Sequence, residues 1–297
     1  MQALRLYYKI VSFVTQVLQA VAMLPKIENF PLPAEILFRI EELAVDADAL
    51  FFGEIHGTQE IPQIISGLLP MLHERGYRGL GLEVPQFEQE NLRRWLSDPK
   101  ASIPDFYAKP GPDGRGSREM LAIVLRASQM GFQVFCFDPG LVRKNAAWTD
   151  RDAGMAQITQ EIWQNDFPKD KILLICGNNH AFLKPPPQAG NDLWPSFAEQ
   201  LRQLMPAKQY RAVDLMPVSG EFYNMGIRNV QAYQFLTAYV KPLEAPRLVP
   251  SEIVSMQVDF PHCHAATFFS TPKTPGQWKL VRLLFLGLLG NYGEQNS

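Results

Sequence analysis

The chain has 297 residues, of which 46% are hydrophobic and 20% are charged. A protein of this size buries about three quarters of the surface that its unfolded chain exposes, so a soluble protein with a well-packed core is expected. The formal net charge is −2, and the Lys and Arg residues are scattered along the chain without forming blocks. This distribution indicates no nucleic-acid partner.

Three cysteines are present, an odd number without CxxC spacing: Cys136, Cys176 and Cys263. Two of them lie inside the apolar runs VFCFD and LLICG. The cysteines are therefore predicted to be buried free thiols and not disulfide partners.

The N-terminal segment joins basic Arg5 and Lys9 to an apolar stretch over 10–24. Polar residues recur in this stretch at helical spacing, opposite an apolar stripe, at Ser12, Thr15, Gln16 and Gln19. The pattern predicts an amphipathic helix over about 9–24 that packs on the domain. A secretory signal and a helix lying on a membrane surface stay open as alternatives.

We accordingly expect a cytoplasmic protein, and a membrane-peripheral or a secreted location is the alternative. The apolar run over 283–289 is much shorter than the ~20 residues that a membrane-spanning helix needs. It is predicted to be a docked terminal helix.

Short apolar runs alternate with longer helical patterns along most of the chain. The predicted strands are 49–52, 79–82, 134–137, 172–175 and 211–215, and the predicted helices are 60–75, 86–97, 117–131, 150–165 and 194–205. This alternation predicts an α/β fold of three layers, a mostly parallel sheet flanked by helices. The whole chain, 1–297, is expected to form one domain, with a helical and loop insertion over about 86–131 between the second and third strands. From about 217 onward the pattern is weak.

The first predicted strand leads into Gly53-Glu54-Ile55-His56-Gly57. Open α/β sheets bind ligands beyond the carboxyl ends of their strands, so polar residues at these ends are candidates for a site. Glu54 and His56 stand at i and i+2 and project to the same side of an extended backbone. A carboxylate beside a histidine suits general acid–base chemistry, whereas the plainer interpretation is a solvated turn with a surface ion pair.

The second strand ends at Glu83, and the third ends at Asp138. If the first two strands are neighbours, Glu83 lies beside Glu54, and the two carboxylates repel unless a cation or metal lies between them. Surface capping is the alternative for Glu83. For Asp138, which precedes Pro139, we favour a simple Asx turn.

The segment Thr149-Asp150-Arg151-Asp152 opens a predicted helix. Thr149 and Asp152 match a capping box, which would explain Asp152 fully. Arg151 would then lie in the first turn, where the helix dipole disfavours a cation unless an anion binds it. Arg151 is therefore expected to bind Glu54 or Glu83, or to stabilise an oxyanion on a substrate.

The fourth strand is followed by Gly177-Asn178-Asn179-His180. A lone histidine in such a turn is more often structural than functional. Polar residues at four successive strand ends nevertheless favour a site that includes His180 as an acid, a base or a metal ligand. His262 and His264 have no partner nearby in sequence, and we do not expect them to bind a metal.

The segments GEIHGT, LEVP, RDAGMA and GNNHA, over about 49–182, resemble the shared motifs of the erythromycin-esterase and ChaN-like superfamily in order and in element context. The motif positions fall on Glu54, His56, Glu83, Arg151 and His180. The resemblance implies an α/β sandwich with its site at the strand ends. The superfamily includes macrolide esterases, haem-binding lipoproteins and, more distantly, metal-dependent proteases.

One residue separates Glu54 from His56, as in the ChaN-like branch, whereas esterases usually have two. No lipobox cysteine is found near the N-terminus, since the earliest cysteine is Cys136.

Three hypotheses follow. The first is a hydrolase that cleaves an ester or amide bond in a small-molecule or peptide substrate. In it, His56, oriented by Glu54 or Glu83, activates water, and Arg151 or His180 stabilises the oxyanion. In a variant of it, Glu54, His56, Glu83 and His180 bind a divalent Mn or Zn ion. The second is a protein that binds haem or another iron-containing ligand. The third is a non-catalytic scaffold whose N-terminal helix contacts a partner or a membrane surface. The sequence gives no indication of oligomeric state.

Overall fold

The computed structural model describes residues 29–98, 100–140, 147–187, 193–233, 243–270 and 272. The helices predicted over 9–24 and 283–289 lie outside these residues. Within the described ranges, no helix combines the length and the apolar character needed to cross a membrane.

Helices and strands alternate as far as the fifth strand, and shorter elements follow it. The strands are β1 (Ala49–Glu54), β2 (Tyr77–Pro85), β3 (Gln133–Asp138), β4 (Lys171–Gly177), β5 (Tyr210–Pro217), β6 (Glu221–Tyr223), β7 (Ile227–Asn229), β8 (Arg247–Val249) and β9 (Met256–Phe260). The α-helices are α1 (Ala34–Asp46), α2 (Glu60–Glu74), α3 (Gln89–Ser97), α4 (Asp105–Ala108), α5 (Arg118–Gln129), α6 (Trp148–Asp166), α7 (Phe197–Leu204) and α8 (Val230–Tyr233). Short 3-10 helices cover Gln86–Glu88 and Asn178–Ala181.

The main sheet has seven strands in the order β3-β2-β4-β1-β5-β9-β8. All neighbouring pairs are parallel except β8 and β9, so the carboxyl ends of six strands lie along one edge. The expectation that β1 and β2 are neighbours was wrong, because β4 lies between them. The right-handed crossover rule fixes the hand of the connection between two parallel strands, but it does not fix whether another strand lies between them in the sheet.

Apolar side chains cover both faces of the sheet, which gives the three layers that the sequence predicted. On one face, residues of α1, α2 and α5 pack against Leu50 and Phe52 of β1. On the other, residues of α6 and α7 pack against Ala49 and Phe51. Alternate residues of one strand thus face opposite layers, and every residue of β1 is buried. The three cysteines are buried and free, as predicted.

The predicted strands and helices up to residue 217 are confirmed, with longer strands than expected. Glu54, Glu83 and Asp138 belong to β1, β2 and β3 themselves and do not merely follow them. Two helices begin on serine caps, since Ser117 accepts a hydrogen bond from the backbone N–H of Met120, and Ser196 accepts one from Glu199.

The capping box predicted for Thr149 and Asp152 was wrong. Helix α6 begins at Trp148, and Asp150 accepts a hydrogen bond from the backbone N–H of Ala147 at 3.0 Å. Asp152 therefore lies inside the helix, where it is fully buried.

The weakly patterned region after 217 adds β9 and β8 to the sheet beyond β5. The β6–β7 hairpin packs over the turn that follows β1, where the N–H of Tyr223 donates to the carbonyl oxygen of Gly57 at 2.9 Å. Gly57 has a φ of 78°, and a Cβ there would lie 2.1 Å from the Tyr223 carbonyl oxygen. Only glycine fits this close approach.

Candidate active site

The five residues predicted from the strand ends converge at the carboxyl edge of the sheet. Glu54 ends β1, His56 follows two residues after it, and Glu83 lies near the end of β2. Arg151 comes from the first turn of α6, and His180 from the 3-10 helix after β4.

Glu83 lies at the centre of the cluster and is buried. Its Oε1 accepts from Nη2 of Arg151 at 2.7 Å and from Nη1 of Arg115 at 3.2 Å. Its Oε2 accepts from the backbone N–H of Gly177 at 2.7 Å and lies 3.5 Å from Nε2 of His56. Burial alone would raise the pKa of Glu83, but interactions with Arg151, His180, His56 and Arg115 outweigh burial and hold the pKa well below 4.5.

Asp138 joins the same cluster and also forms the Asx turn that the sequence predicted. Its Oδ1 accepts from the backbone N–H of Gly140 at 2.9 Å. Its Oδ2 accepts from both arginines, Arg115 and Arg151, at 2.7 Å each. Arg151 thus finds the anionic partners that a cation in a first helical turn requires.

Arg115 was missed by the sequence analysis. It lies in the Pro- and Gly-rich loop before α5, and this loop brings it to the buried edge of the sheet. Its Nε donates to Oδ2 of Asp113 at 2.9 Å. No local sequence signal marks Arg115, because its partners Glu83 and Asp138 are distant in the chain.

His56 is held between two carboxylates. Its Nδ1 lies 2.9 Å from Oε1 of Glu54, as the i, i+2 spacing predicted, and its Nε2 faces Glu83. A side chain on Gly177 would not leave room for the ring, because a Cβ there would lie 2.9 Å from Nε2 of His56.

The surroundings of His56 set its charge. Burial alone would lower its pKa, but the negative charges of Glu83 and Glu54 outweigh burial and raise the pKa from 6.5 to about 10. At neutral pH the ring is therefore an imidazolium ion with a proton on each nitrogen.

His180 and Asp152 form a buried pair beside Arg151. Nδ1 of His180 lies 2.6 Å from Oδ1 of Asp152, although the contact is not aligned as a linear hydrogen bond. Nε2 of His180 lies 3.0 Å from Nη1 of Arg151. The indole of Trp148 stacks on the imidazole with parallel rings and a centroid distance of 5.1 Å. Burial raises the pKa of Asp152, and the contact with His180 opposes that shift.

The predicted metal ligands Glu54, His56, Glu83 and His180 lie in one cluster, but their atoms are engaged with one another and with arginines. Among the described residues, no group of three or more His, Cys, Asp or Glu side chains is placed to bind one ion. Both oxygens of Glu83 already accept hydrogen bonds from N–H groups. One of these donors is the guanidinium of Arg151, and a positive charge beside the carboxylate does not favour binding of a divalent cation. The metal site stays a prediction.

The other two histidines that the sequence singled out lie in a separate group. Nδ1 of His264 lies 2.6 Å from Oε1 of Glu60, and Nδ1 of His262 lies 3.0 Å from the hydroxyl of Ser219. Both histidines are exposed.

No protein-family model matches this sequence, and no curated protein matches it. Several solved structures do. An erythromycin esterase mutant in its open conformation matches with a TM-score of 0.56 and 12% identity, over 81% of this chain and 97% of the other. A succinoglycan biosynthesis protein matches with a TM-score of 0.52 and 12% identity, over 83% and 95%. The ChaN protein of Campylobacter jejuni, described with cofacial haem binding, matches with a TM-score of 0.39 and 13% identity, over 61% and 84%.

At these identities the likeness establishes the fold alone. The chain shares its α/β fold with the erythromycin esterase and with the succinoglycan biosynthesis protein.

Proposed function

We propose that this protein is a hydrolase that cleaves an ester or amide bond, with Glu54 and His56 carrying the proton transfers. The placement of His56 is the observation that carries the proposal. Both of its ring nitrogens face carboxylates, yet 17% of its side chain is exposed, so a substrate can reach the ring. A fold shared with an esterase supports this reaction class.

The charge of His56 changes the roles that the sequence suggested. A cationic imidazole is an acid and not a base, so the proton of the attacking water goes to the carboxylate of Glu54. The water oxygen forms a bond to the carbonyl carbon, and His56 protonates the leaving oxygen or nitrogen as its bond to that carbon breaks. Glu54 then releases its proton to solvent and His56 takes one up, which restores the pair.

Arg151 and His180 frame the site in this scheme and do not act on the substrate directly. Nε and Nη2 of Arg151 donate to Asp138 and Glu83, and its Nη1 faces His180. This leaves at most one N–H of the guanidinium for an oxyanion. The proton that His56 gives to the leaving group is the one on Nε2, because Nδ1 faces Glu54 at 2.9 Å and Oε2 of Glu83 is 3.5 Å from Nε2.

A screen of nitrophenyl esters and anilides of increasing acyl length tests the proposal. The wild type is compared with Glu54→Gln and His56→Gln, and with His262→Gln, which changes an exposed histidine outside the cluster. We expect hydrolysis by the wild type and by His262→Gln, and a loss of about 100-fold or more in kcat for the two site variants. Equal rates in His56→Gln and the wild type would contradict the proposal, as would a wild type inactive on the whole panel.

Elemental analysis and an absorbance spectrum of the same samples test the other hypotheses. Stoichiometric Mn or Zn that is lost in His56→Gln would replace the metal-free scheme with metal-assisted hydrolysis. A Soret band after addition of hemin, without hydrolysis, would favour a haem-binding protein. If neither hydrolysis nor a bound metal or haem is found, the scaffold hypothesis is the one that is left.

A further inference from the structure

His262 and His264 lie side by side on the surface, in the group separate from the candidate active site. They stand on either side of Cys263, which is buried and forms a β-bridge with Gly220, so the two histidines project outward from an extended segment. The centroids of their imidazole rings are 4.8 Å apart, and the ring planes make an angle of 74°. Two imidazoles this close can bind one metal ion if each has a ring nitrogen available.

The Nδ1 atom of each ring is anchored by a residue distant in the chain. Nδ1 of His264 donates to Oε1 of Glu60 at 2.6 Å, and Oε2 of the same carboxylate accepts from the backbone N–H of His264 at 2.8 Å. Nδ1 of His262 lies 3.0 Å from the hydroxyl of Ser219. That hydroxyl gives its one proton to the carbonyl oxygen of Pro261 at 2.7 Å, so it accepts from Nδ1. Nδ1 is therefore the donor in both rings.

The anchored Nδ1 atoms leave Nε2 of each ring as the atom that can bind a metal. When the ring is neutral, a proton on Nδ1 places the lone pair on Nε2. Within the described part of the chain, Nε2 of neither histidine has a hydrogen-bond or ion-pair partner. Metal-binding histidines commonly donate their other N–H to a carboxylate or another acceptor, which fixes the ring and raises its basicity. Glu60 and Ser219 stand in that position.

The spacing of the two rings suits one ion bound to both. With metal–nitrogen bonds of about 2.0–2.1 Å, two imidazoles on one tetrahedral or square-planar ion have centroids roughly 4.5–5.2 Å apart. The observed 4.8 Å lies within that range. Among the described residues, no group of three or more His, Cys, Asp or Glu side chains is placed to bind one ion, so the protein supplies two ligands here and water the others.

We propose that His262 and His264 bind one divalent transition-metal ion, of the class of Zn²⁺ and Cu²⁺, through their Nε2 atoms. Imidazole nitrogen suits these ions, whereas Mg²⁺ and Ca²⁺ take oxygen ligands. The expectation of no metal at these histidines rested on the lack of partners nearby in the sequence. The folded chain supplies the partners, since Glu60 is 204 residues from His264 and Ser219 is 43 residues from His262.

Calorimetric titration of the tag-free, EDTA-treated full-length protein with Zn²⁺ tests the site. His262→Gln and His264→Gln are compared with His73→Gln, which changes a histidine outside the pair that packs on Phe132. We expect zinc binding by the wild type and by His73→Gln, and an affinity at least about 100-fold lower in each variant of the pair, because a lost ligand costs more than the loss of about 10–100-fold that follows removal of an outer partner. Glu60→Gln, which changes such an outer partner, should bind zinc about 10-fold more weakly.

Zinc bound at the cluster around Glu83 would be a separate result. It would be lost in His56→Gln, whereas zinc at the pair of His262 and His264 would stay bound in that variant. The proton transfers proposed for Glu54 and His56 use no metal, so the histidine pair and the hydrolase proposal stand or fail separately.

Electron paramagnetic resonance of the same proteins with Cu²⁺ identifies the nitrogen ligands. The wild type should show couplings to two imidazole nitrogens, and each single variant of the pair to one at most. Both histidines are exposed, so the variants should fold, and circular dichroism melts of the metal-free samples check this. Equal zinc affinities in the wild type, His262→Gln and His264→Gln would overturn the proposal, as would a wild type that binds no zinc or a Cu²⁺ spectrum that neither substitution changes.

Discussion

Replacing Glu83 by glutamine tests whether the arginine pair depends on one buried carboxylate. Glu83 contacts Arg115, Arg151 and the backbone N–H of Gly177, and it faces His56. Glutamine keeps one acceptor oxygen, but it turns the other oxygen into an N–H₂ donor that meets either Arg151 or Gly177. It also removes a negative charge that two partly buried guanidinium groups share with Asp138.

Removing one partner of a buried ion pair costs about 3–5 kcal/mol of unfolding free energy. At about 2 cal/mol/K per residue, the unfolding entropy of a 297-residue chain is about 0.6 kcal/mol/K. The melting temperature of Glu83→Gln should therefore fall by about 5–8 °C.

Thermal melts followed by circular dichroism measure this change, with Glu88→Gln as the matched control. Glu88 is also buried, but it has no arginine partner in the described chain, and burial raises its pKa. Glutamine can still accept from Nδ2 of Asn91, so a change within about 1 °C is expected there. A Glu83→Gln melting temperature as high as that of Glu88→Gln would refute the argument that Glu83 holds the cluster together.

Three further predictions concern the same edge of the sheet. Gly177→Ala should lower hydrolysis because its Cβ would lie 2.9 Å from Nε2 of His56, whereas Gly67→Ala, with no atom nearer than 3.7 Å, should leave both activity and folding intact in the same assays. The pKa of His56 is raised from 6.5 to about 10, so the stability that its charge contributes is full below pH 6.5 and is lost as the pH rises through about 10. In urea unfolding, the free energy of unfolding of His56→Gln should therefore not show this fall with rising pH. Burial and the charge of Asp259 raise the pKa of Asp214 from 3.8 to about 7, so the protein loses stability as the pH rises through about 7, and Asp214→Asn should be the more stable protein above that pH. Identical urea midpoints for Asp214→Asn and wild type at pH above 7 would contradict the last of these.

Local signals in the sequence predicted the parts of the site that depend on local geometry. Glu54 and His56 touch because residues at i and i+2 of an extended chain lie on one side. Arg151 was identified because a cation in a first helical turn needs an anion. The strand ends were found because buried parallel strands are continuous apolar runs.

Other parts depend on tertiary structure and left no local trace. Arg115 reaches the cluster only because the loop before α5 folds back over β2 and β3. The position of β4 between β1 and β2 is a matter of strand order, which the crossover rules leave open. Asp152 was misread because a capping pattern fits Thr149, while the helix begins at Trp148, two residues before the predicted start, and is capped at Ala147.

The elements after 217 were missed because they carry little periodicity. Strands β6, β7 and β8 have three residues each, and every residue of β7 is exposed. Such segments bury too little apolar surface to show alternation.

The pH dependence of kcat/KM tests the central claim that cationic His56 is the acid of an ester hydrolase. It is measured on an ester that the wild type cleaves, with the rate of His56→Gln subtracted. The account predicts activity at neutral pH that falls as the pH rises through about 10, where His56 loses its proton. Activity that instead appears as the pH rises through 6.5 would mean that neutral His56 acts as a base, and it would contradict the account.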